Sequence, residues 1–506
     1  MSLKQRLLNT SALNLVDFAI KIIVVFLVSP FLIHRLGKPD YGLWMLLLSV
    51  LGYLDLLDLG FNQTSVRCLS QAIATHDPLR IAAVFQHFRR IYRRAAIASL
   101  LLTATTVLLL PHWVTDPETL NQSRLVLGIG GLLTSISYFL RVQTSLIKSH
   151  ILYHKLILAG MARLLVNTTL TIAFLLAGYG LESLAIAWAI GLMLEQSLIW
   201  LQARPLVPKT LPQPSLALPE QKEIRGFAAK MTLWSMASFM RERVDTQVLG
   251  SHLGSIAVAH YAVGSRLVTL FSDLINAVFG AHFLAAFSQL NEQHGPSGAA
   301  SRLLSSLRLS APFALSGGIC LFLLGPAFID RWLGPGFEQS HLVIQILAFP
   351  LSLTLMQYPT GTFLGALNRH GSMALVSVIG GALNLVGSLL LVQWIGFQGV
   401  VIATAIELLL TGLIAWPLIV SRHQDVSLRS YLLVLAKPIA VLTPVALAAI
   451  WFQSSFGTPT SYPSLLASGL GLTSLLAIIT WTTLLTPDER SWIKSKRRQA
   501  PKSTAS

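Results

Sequence analysis

Charge is scarce in this sequence. Only 11% of its 506 residues are Asp, Glu, Lys or Arg, whereas 53% are apolar and the mean hydropathy is +0.65. A soluble chain carries about 25% charged residues. Cysteine is scarcer still: Cys68 and Cys320 are the two in the chain, which excludes a disulfide-stapled secreted scaffold. The high apolar content excludes a disordered chain. Apolar residues are spread over the whole length, so a single-span anchored enzyme is excluded as well. No Gly-rich phosphate loop ending in Gly-Lys-Ser/Thr is present, so nucleotide hydrolysis does not drive this chain. What remains is a polytopic helical membrane protein.

A membrane crossing needs about 20 apolar residues. Fourteen segments qualify, at about 10–33, 42–61, 95–112, 125–147, 154–177, 182–203, 227–250, 257–285, 304–327, 341–366, 371–393, 398–420, 431–453 and 464–485. Segments 2, 8 and 10 have the softest edges, because Gly, Pro and polar residues interrupt them. The first follows Lys4 and Arg6 without a small-residue cleavage pattern, so it is expected to be retained as a span.

The net charge of +16 would suggest nucleic acid in a soluble protein. Here it follows topology. Of the 37 Lys and Arg, four (Arg35, Lys38, Arg124 and Arg331) fall in segments on one side. Eight lie within or at the end of spans, and all the rest fall on the other side. The positive-inside rule then places both termini in the cytoplasm. The basic tail reads as a topology signal or anionic-lipid contact, and no nucleic-acid partner is expected.

The longest polar segment between spans, about 204–226, holds Pro205, Pro208, Pro212, Pro214 and Pro219 and reads as an extended cytoplasmic linker. A repeat flanks it. Residues His154 to Trp200 align without a gap to His370 to Trp416, pairing Gly180 with Gly396. Equivalent spans are an even number apart, which makes the halves parallel repeats about an axis along the membrane normal. The expected organisation is an N-terminal six-helix half (1–203), the linker (204–226), a C-terminal six-helix half (227–420), two further spans (421–485) and a basic tail (486–506). Two such halves around a central cavity form a transporter plan.

Leu36-Gly37-Lys38-Pro39-Asp40-Tyr41-Gly42-Leu43-Trp44 and Gly52-Tyr53-Leu54-Asp55-Leu56-Leu57-Asp58-Leu59-Gly60-Phe61, followed by Arg67, resemble the start of the Wzx-type polysaccharide-biosynthesis flippases. These belong to the multidrug/oligosaccharidyl-lipid/polysaccharide exporter superfamily. Gly396-Phe397-Gln398-Gly399 is similar to that superfamily too. The resemblance implies a flippase for an undecaprenyl-pyrophosphate-type glycolipid, working by alternating access. It further implies coupling to a proton or sodium gradient, no other cofactor, and a functional monomer beside a polysaccharide polymerase. An ion-coupled drug exporter and a lipid II-type flippase share the plan. A membrane polymerase or ligase would need a sizeable outer loop, and the longest here, about 328–340, is short.

Charge inside spans needs a reason, because each costs at least about 2.5–3.5 kcal/mol at the bilayer centre. Arg241-Glu242-Arg243-Val244-Asp245 sits near the middle of segment 7. Arg241 and Asp245 share a helix face, Glu242 projects about 100° away and Arg243 about 100° further. Segment 7 is therefore expected to line an aqueous cavity. With Arg266, Arg163, Arg141 and Arg67, Arg241 and Arg243 form the candidate set for a substrate pyrophosphate, since guanidinium binds phosphate oxygens bidentately. An intramembrane cation must face a wet cavity, pair with a carboxylate or snorkel; Arg266 and Arg163 have no carboxylate at helical spacing, and snorkelling to the membrane surface accounts equally well for Arg67. Candidates for ion coupling are Asp17 with Lys21 four residues on, Asp245, Asp273 and Glu407. Histidines show no metal-ligand spacing, and no metal site is expected.

Overall fold

The computed structural model describes residues 3–58, 60–208, 218–367, 369–423, 426–487 and 489–491. Part of the linker and nearly all of the basic tail lie outside these residues, as does the side chain of Arg241. Among the described residues the chain is helical, with no strand. In order, the helices are α1 (Leu3–Gly52), α2 (Phe61–Ala74), α3 (Pro78–Leu109), α4 (Pro117–Ser149), α5 (Tyr153–Leu176), α6 (Leu181–Ala203), α7 (Leu218–Leu253) and α8 (Ser255–Leu333). They continue as α9 (Glu338–Leu355), α10 (Tyr358–Ala366), α11 (His370–Ile395), α12 (Phe397–Leu410), α13 (Trp416–His423), α14 (Leu428–Phe456) and α15 (Tyr462–Ile479).

Twelve described stretches are long and apolar enough to cross a membrane. The fourteen sequence segments map onto them in order, with two differences. Segments 1 and 2 share one run, Val16–Asp58, because α1 continues past Gly37, whose φ of 79° marks a break. Segment 7 is helical as α7, but its charges leave it outside the apolar set. Large side chains point outwards throughout: Trp394 is 81% and Leu108 74% exposed. In water that pattern would be unstable; against lipid tails it costs nothing. The chain is thus an all-α, multi-span membrane protein.

Local chemistry starts and breaks the helices. Asp77 accepts hydrogen bonds from the amides of Leu79 and Arg80 at the head of α3, and Asp116 accepts from Thr119 at the head of α4. Each is followed by Pro at the first helical position, where a missing N–H costs nothing. The Thr119 hydroxyl and amide hold the Asp116 carboxyl below the usual range. Three sequence boundaries need correction. The expected linker is helical from Leu218, because Glu220, Lys222, Glu223 and Arg225 suit an amphipathic helix end as well as a loop. Segments 8 and 9 belong to one 79-residue helical run, so their connection is helix too. Segment 10 is broken in two at Met356 and Gln357, between α9 and α10.

The chain divides into two compact units, residues 1–259 and 260–506; α7 belongs with the first. In the first unit, Leu69, Phe88, Tyr92, Tyr138, Val142 and Leu146 form a core of α2, α3 and α4. A second core joins the end of α1 to α4 and α6 through Leu47, Leu51, Val126, Leu127, Leu181 and Leu184. Trp44 meets Trp188 edge-on with centroids 6.4 Å apart. Small residues let backbones approach, as membrane helix packing requires. Gly60 turns the chain at φ 67°, and a Cβ there would lie 2.5 Å from Met231 Cβ and 2.8 Å from the Ala228 carbonyl. In the second unit, α9 and α11 flank α12, and Gly396 turns α11 into α12 at φ 59°.

Gly60→Ala is therefore expected to destabilise the protein by about 1–3 kcal/mol through strain and overpacking, read as a lower midpoint of thermal unfolding in detergent. Gly128→Ala, where an added Cβ meets nothing within 4 Å, is expected to leave the midpoint unchanged.

Candidate functional site

The family-like stretch after Gly52 forms a 3-10 turn, Tyr53–Asp58, that presents two carboxylates towards α4. Arg141 answers both: its Nη2 lies 2.6 Å from Asp55 Oδ1 and its Nη1 3.0 Å from Asp58 Oδ1. The guanidinium stacks on Tyr138, 4.3 Å from the ring centroid, and the Tyr138 hydroxyl donates to the Leu54 carbonyl at 2.7 Å. Asp58 also accepts from the Asn62 amide at 3.0 Å. Beneath this staple the hydroxyls of Ser65 and Ser145 lie 2.7 Å apart, with Tyr92 beside them. Asp55 is the exposed partner; Arg141 and Asp58 are largely covered. Arg141, one of the expected phosphate ligands, is engaged here by two carboxylates.

Two more of the expected arginines are paired. Arg67 on α2 reaches Glu223 at 3.4 Å, and Arg80 on α3 reaches Glu220 at 3.0 Å, so the start of α7 is tied to α2 and α3. Arg163 on α5 meets Glu195 on α6 at 3.4 Å. Lys21 and Asp17 pair at 2.6 Å on one face of α1, as their spacing predicts. Each of the three paired candidates, Arg67, Arg141 and Arg163, thus has its own acidic partners.

Arg243 is held differently. It is half-buried, its Nη1 donates to the Leu48 carbonyl at 3.4 Å, and it lies 5.8 Å from the Phe239 centroid. Phe239 packs edge-on against Tyr53 at 4.9 Å, and Gln247 donates to Ser49 at 3.0 Å. This polar seam lays α7 along the end of α1. The Arg241 side chain lies outside the described residues. Asp245 is buried, at 2% exposure. In the second unit Arg266 on α8 is half-buried and Asp273, two turns on, is exposed. Neither Arg243 nor Arg266 has an ion-pair partner among the described residues.

Glu407 is 1% exposed. It ends α12 against a π turn, Thr411–Ala415, where the Thr411 hydroxyl donates to its Oε1 at 2.9 Å. The wide turn frees the Gly412 carbonyl, which accepts from Gln357 at 2.7 Å. Tyr431 donates to Gln357 at 3.0 Å and shares a 2.7 Å hydrogen bond with Thr360. A buried polar network thus spans the break between α9 and α10, the π turn and α14. The sequence signals were present but neutral: Gln357 before Tyr358-Pro359, and Thr411-Gly412 inside an apolar run.

A groove of about 450 Å³ opens beside the 3-10 turn, with Arg94, Arg225 and His87 set against Leu57, Phe61 and Ile91. Guanidinium beside an apolar wall can take an anionic group attached to a hydrocarbon chain.

Comparison with known proteins places these features in a family. Residues 32–342 match the model of the polysaccharide biosynthesis protein family. The chain is 23% identical over 503 residues to the uncharacterized membrane protein EpsK of Bacillus subtilis (strain 168), covering 97% of this chain and 98% of that protein. Among solved structures it resembles the lipid II flippase MurJ in an inward closed conformation (TM-score 0.67, 14% identity, 96% of this chain and 99% of that one). It also resembles an inward-facing multidrug resistance MATE family transporter of the MOP superfamily (TM-score 0.61, 16% identity, 82% of this chain and 98% of that one). The fold is that of these polytopic transporters.

Removing Arg141 leaves two carboxylates facing each other without a cation. Arg141→Ala is expected to cost about 3 kcal/mol, against less than about 1 kcal/mol for Asp55→Asn at the exposed arm. Thermal unfolding of the two purified variants checks this.

Proposed function

The chain belongs to the polysaccharide biosynthesis protein family, and from that premise we propose that it is a flippase for a polyprenyl-pyrophosphate-linked oligosaccharide. It carries this lipid from the cytoplasmic to the outer leaflet by alternating access, driven by a proton or sodium gradient, for surface polysaccharide assembly. It sits in the bacterial cytoplasmic membrane with both termini inside and works as a monomer, with a polysaccharide polymerase as its downstream partner. It is a transporter and makes no covalent change in the lipid.

The observation that carries this proposal is the pair Arg243 and Arg266. Both are half-buried in long helices, and neither has an ion-pair partner among the described residues. Arg67, Arg80, Arg141 and Arg163 all have one. A cation left uncompensated at such a position is stabilised by an anion that arrives with the substrate. A pyrophosphate needs that help, because its fixed charge has to cross the low-dielectric region. Guanidinium keeps its proton there and binds phosphate oxygens with a planar fork. An exporter of cationic drugs would place carboxylates at these positions. A lipid II-type cargo carries the same pyrophosphate and differs in its sugars.

For coupling, Glu407 is the strongest of the five candidates, since it is the buried carboxylate built into a distorted helix turn with a defined donor. Asp17 is matched to Lys21, Asp273 is exposed, and Asp245 is buried on α7.

In a strain lacking the chromosomal copy, Arg243→Ala and Arg266→Ala are expected to abolish surface polysaccharide while the proteins insert at normal abundance. Arg241→Ala belongs to the same series. Mass spectrometry of extracted lipids then finds the finished oligosaccharide trapped on its pyrophosphate carrier. Full export by all three variants contradicts the proposal. Glu407→Gln is expected to flatten the dependence of transport on an imposed ion gradient, measured in inverted vesicles.

A further inference from the structure

Helix α3 starts well before its apolar stretch. Arg80, Arg89, Arg90, Arg93 and Arg94 lie between its start and Ala95, where the apolar run begins. At 1.5 Å per residue, Arg89 lies about 9 Å before that run, which is roughly the depth of the lipid headgroups. The neighbouring helices reach the same level from the opposite direction. Arg204 directly follows α6, Trp200 lies one turn before it, and Gln143 is less than two turns from the end of α4. Tryptophan at this depth is what the membrane interface favours.

Between these three helices runs a groove of about 420 Å³. Phe85, Trp200 and Val207 form its apolar wall, with Gln143 beside them, and Arg89 and Arg204 supply donors. The Arg204 guanidinium lies 5.7 Å from the Trp200 ring centroid, a cation–π contact that holds it at the groove. Arg89 and Arg204 are exposed, and neither is paired with a carboxylate among the described residues. That sets them apart from Arg67, Arg80, Arg141 and Arg163, each of which meets an acidic side chain.

We propose that this groove is a binding site for the phosphate headgroup of an anionic glycerophospholipid, which lays its first acyl carbons on the exposed Trp200 and on Val207. Two guanidinium forks without an internal counter-ion complement one phosphodiester, and basic pockets between membrane helices are suited to anionic headgroups. A zwitterionic lipid brings its own cation to the same arginines and gains less. The site lies at the ends of α3, α4 and α6, includes neither Arg243 nor Arg266 in its lining, and does not depend on the flippase proposal.

The test is native mass spectrometry of the full chain in detergent, titrated with phosphatidylglycerol, with phosphatidylcholine of the same acyl chains, and with inorganic phosphate as competitor. Phosphatidylglycerol is expected to bind more tightly than phosphatidylcholine. The double substitution Arg89→Gln/Arg204→Gln is expected to weaken phosphatidylglycerol by roughly 30-fold, the loss of two interfacial arginine contacts, and to leave phosphatidylcholine unchanged. Arg89→Lys/Arg204→Lys keeps the charge without the fork, so it is expected to lose a few-fold; it carries the test should the first variant not purify. Arg124→Gln, about 28 Å along α4 from Gln143, is expected to change nothing. Undiminished phosphatidylglycerol binding in the Gln and Lys variants overturns the proposal. So does an equal loss with Arg124→Gln, or displacement of the lipid by equimolar inorganic phosphate, which would make phosphate alone the ligand.

Discussion

A charged side chain in hydrocarbon must find a counter-charge, reach water or lose several kcal/mol. Much of the first unit is arranged around that constraint. Arg141 is caught between Asp55 and Asp58, Arg163 meets Glu195, and Lys21 meets Asp17. Those pairs remove charge from the problem and fix geometry at the same time: the Asp55–Asp58 turn is pinned to α4, and α5 to α6. Arg67 and Arg80 do the same for the start of α7. Once these are accounted for, Arg243 and Arg266 are the described candidate arginines left half-buried without an ion pair. The proposed chemistry follows from that remainder.

Packing reinforces the electrostatics. Membrane helices gain little from burying apolar surface against one another, because lipid is equally apolar. Close backbone contact and polar links take over. Gly60 brings the motif turn against α7, Gly131 admits Thr103, and serine and tyrosine hydroxyls bridge α2, α3 and α4. In the second unit the equivalent role falls to Gln357, Tyr431 and Thr360, organised around a broken helix and a π turn. Such irregular backbone is tolerated at membrane depth where protein covers it. It also puts a buried carboxylate, Glu407, beside the π turn, where Thr411 donates to it.

The helical, polytopic fold was legible because hydrophobic runs of this length have few other physical meanings. The gapless match of Gly180 to Gly396 also corresponds to something observed: both glycines turn one helix into the next. Lys21 and Asp17 were legible as a pair because four residues is one helical turn. The bond from Arg141 to Asp55 was not, since 86 residues separate them and no local periodicity encodes the approach. The helical start at Leu218 was hidden by proline and charge, which read as a loop when neighbours are unknown. The Gln357 network escaped notice because its members are neutral, and a search for charge inside spans passes over them.

The most direct measurement is transbilayer movement in proteoliposomes holding the purified chain and a polyprenyl-pyrophosphate oligosaccharide confined to one leaflet. A membrane-impermeant hydrolase reads the fraction exposed on the other side over time. An ion gradient should accelerate exposure with the wild-type protein, and Arg243→Ala and Arg266→Ala should fall to the rate of protein-free vesicles. Exposure no faster than in protein-free vesicles with the wild-type chain, under both proton and sodium gradients, would contradict the assignment of an anionic lipid-linked substrate.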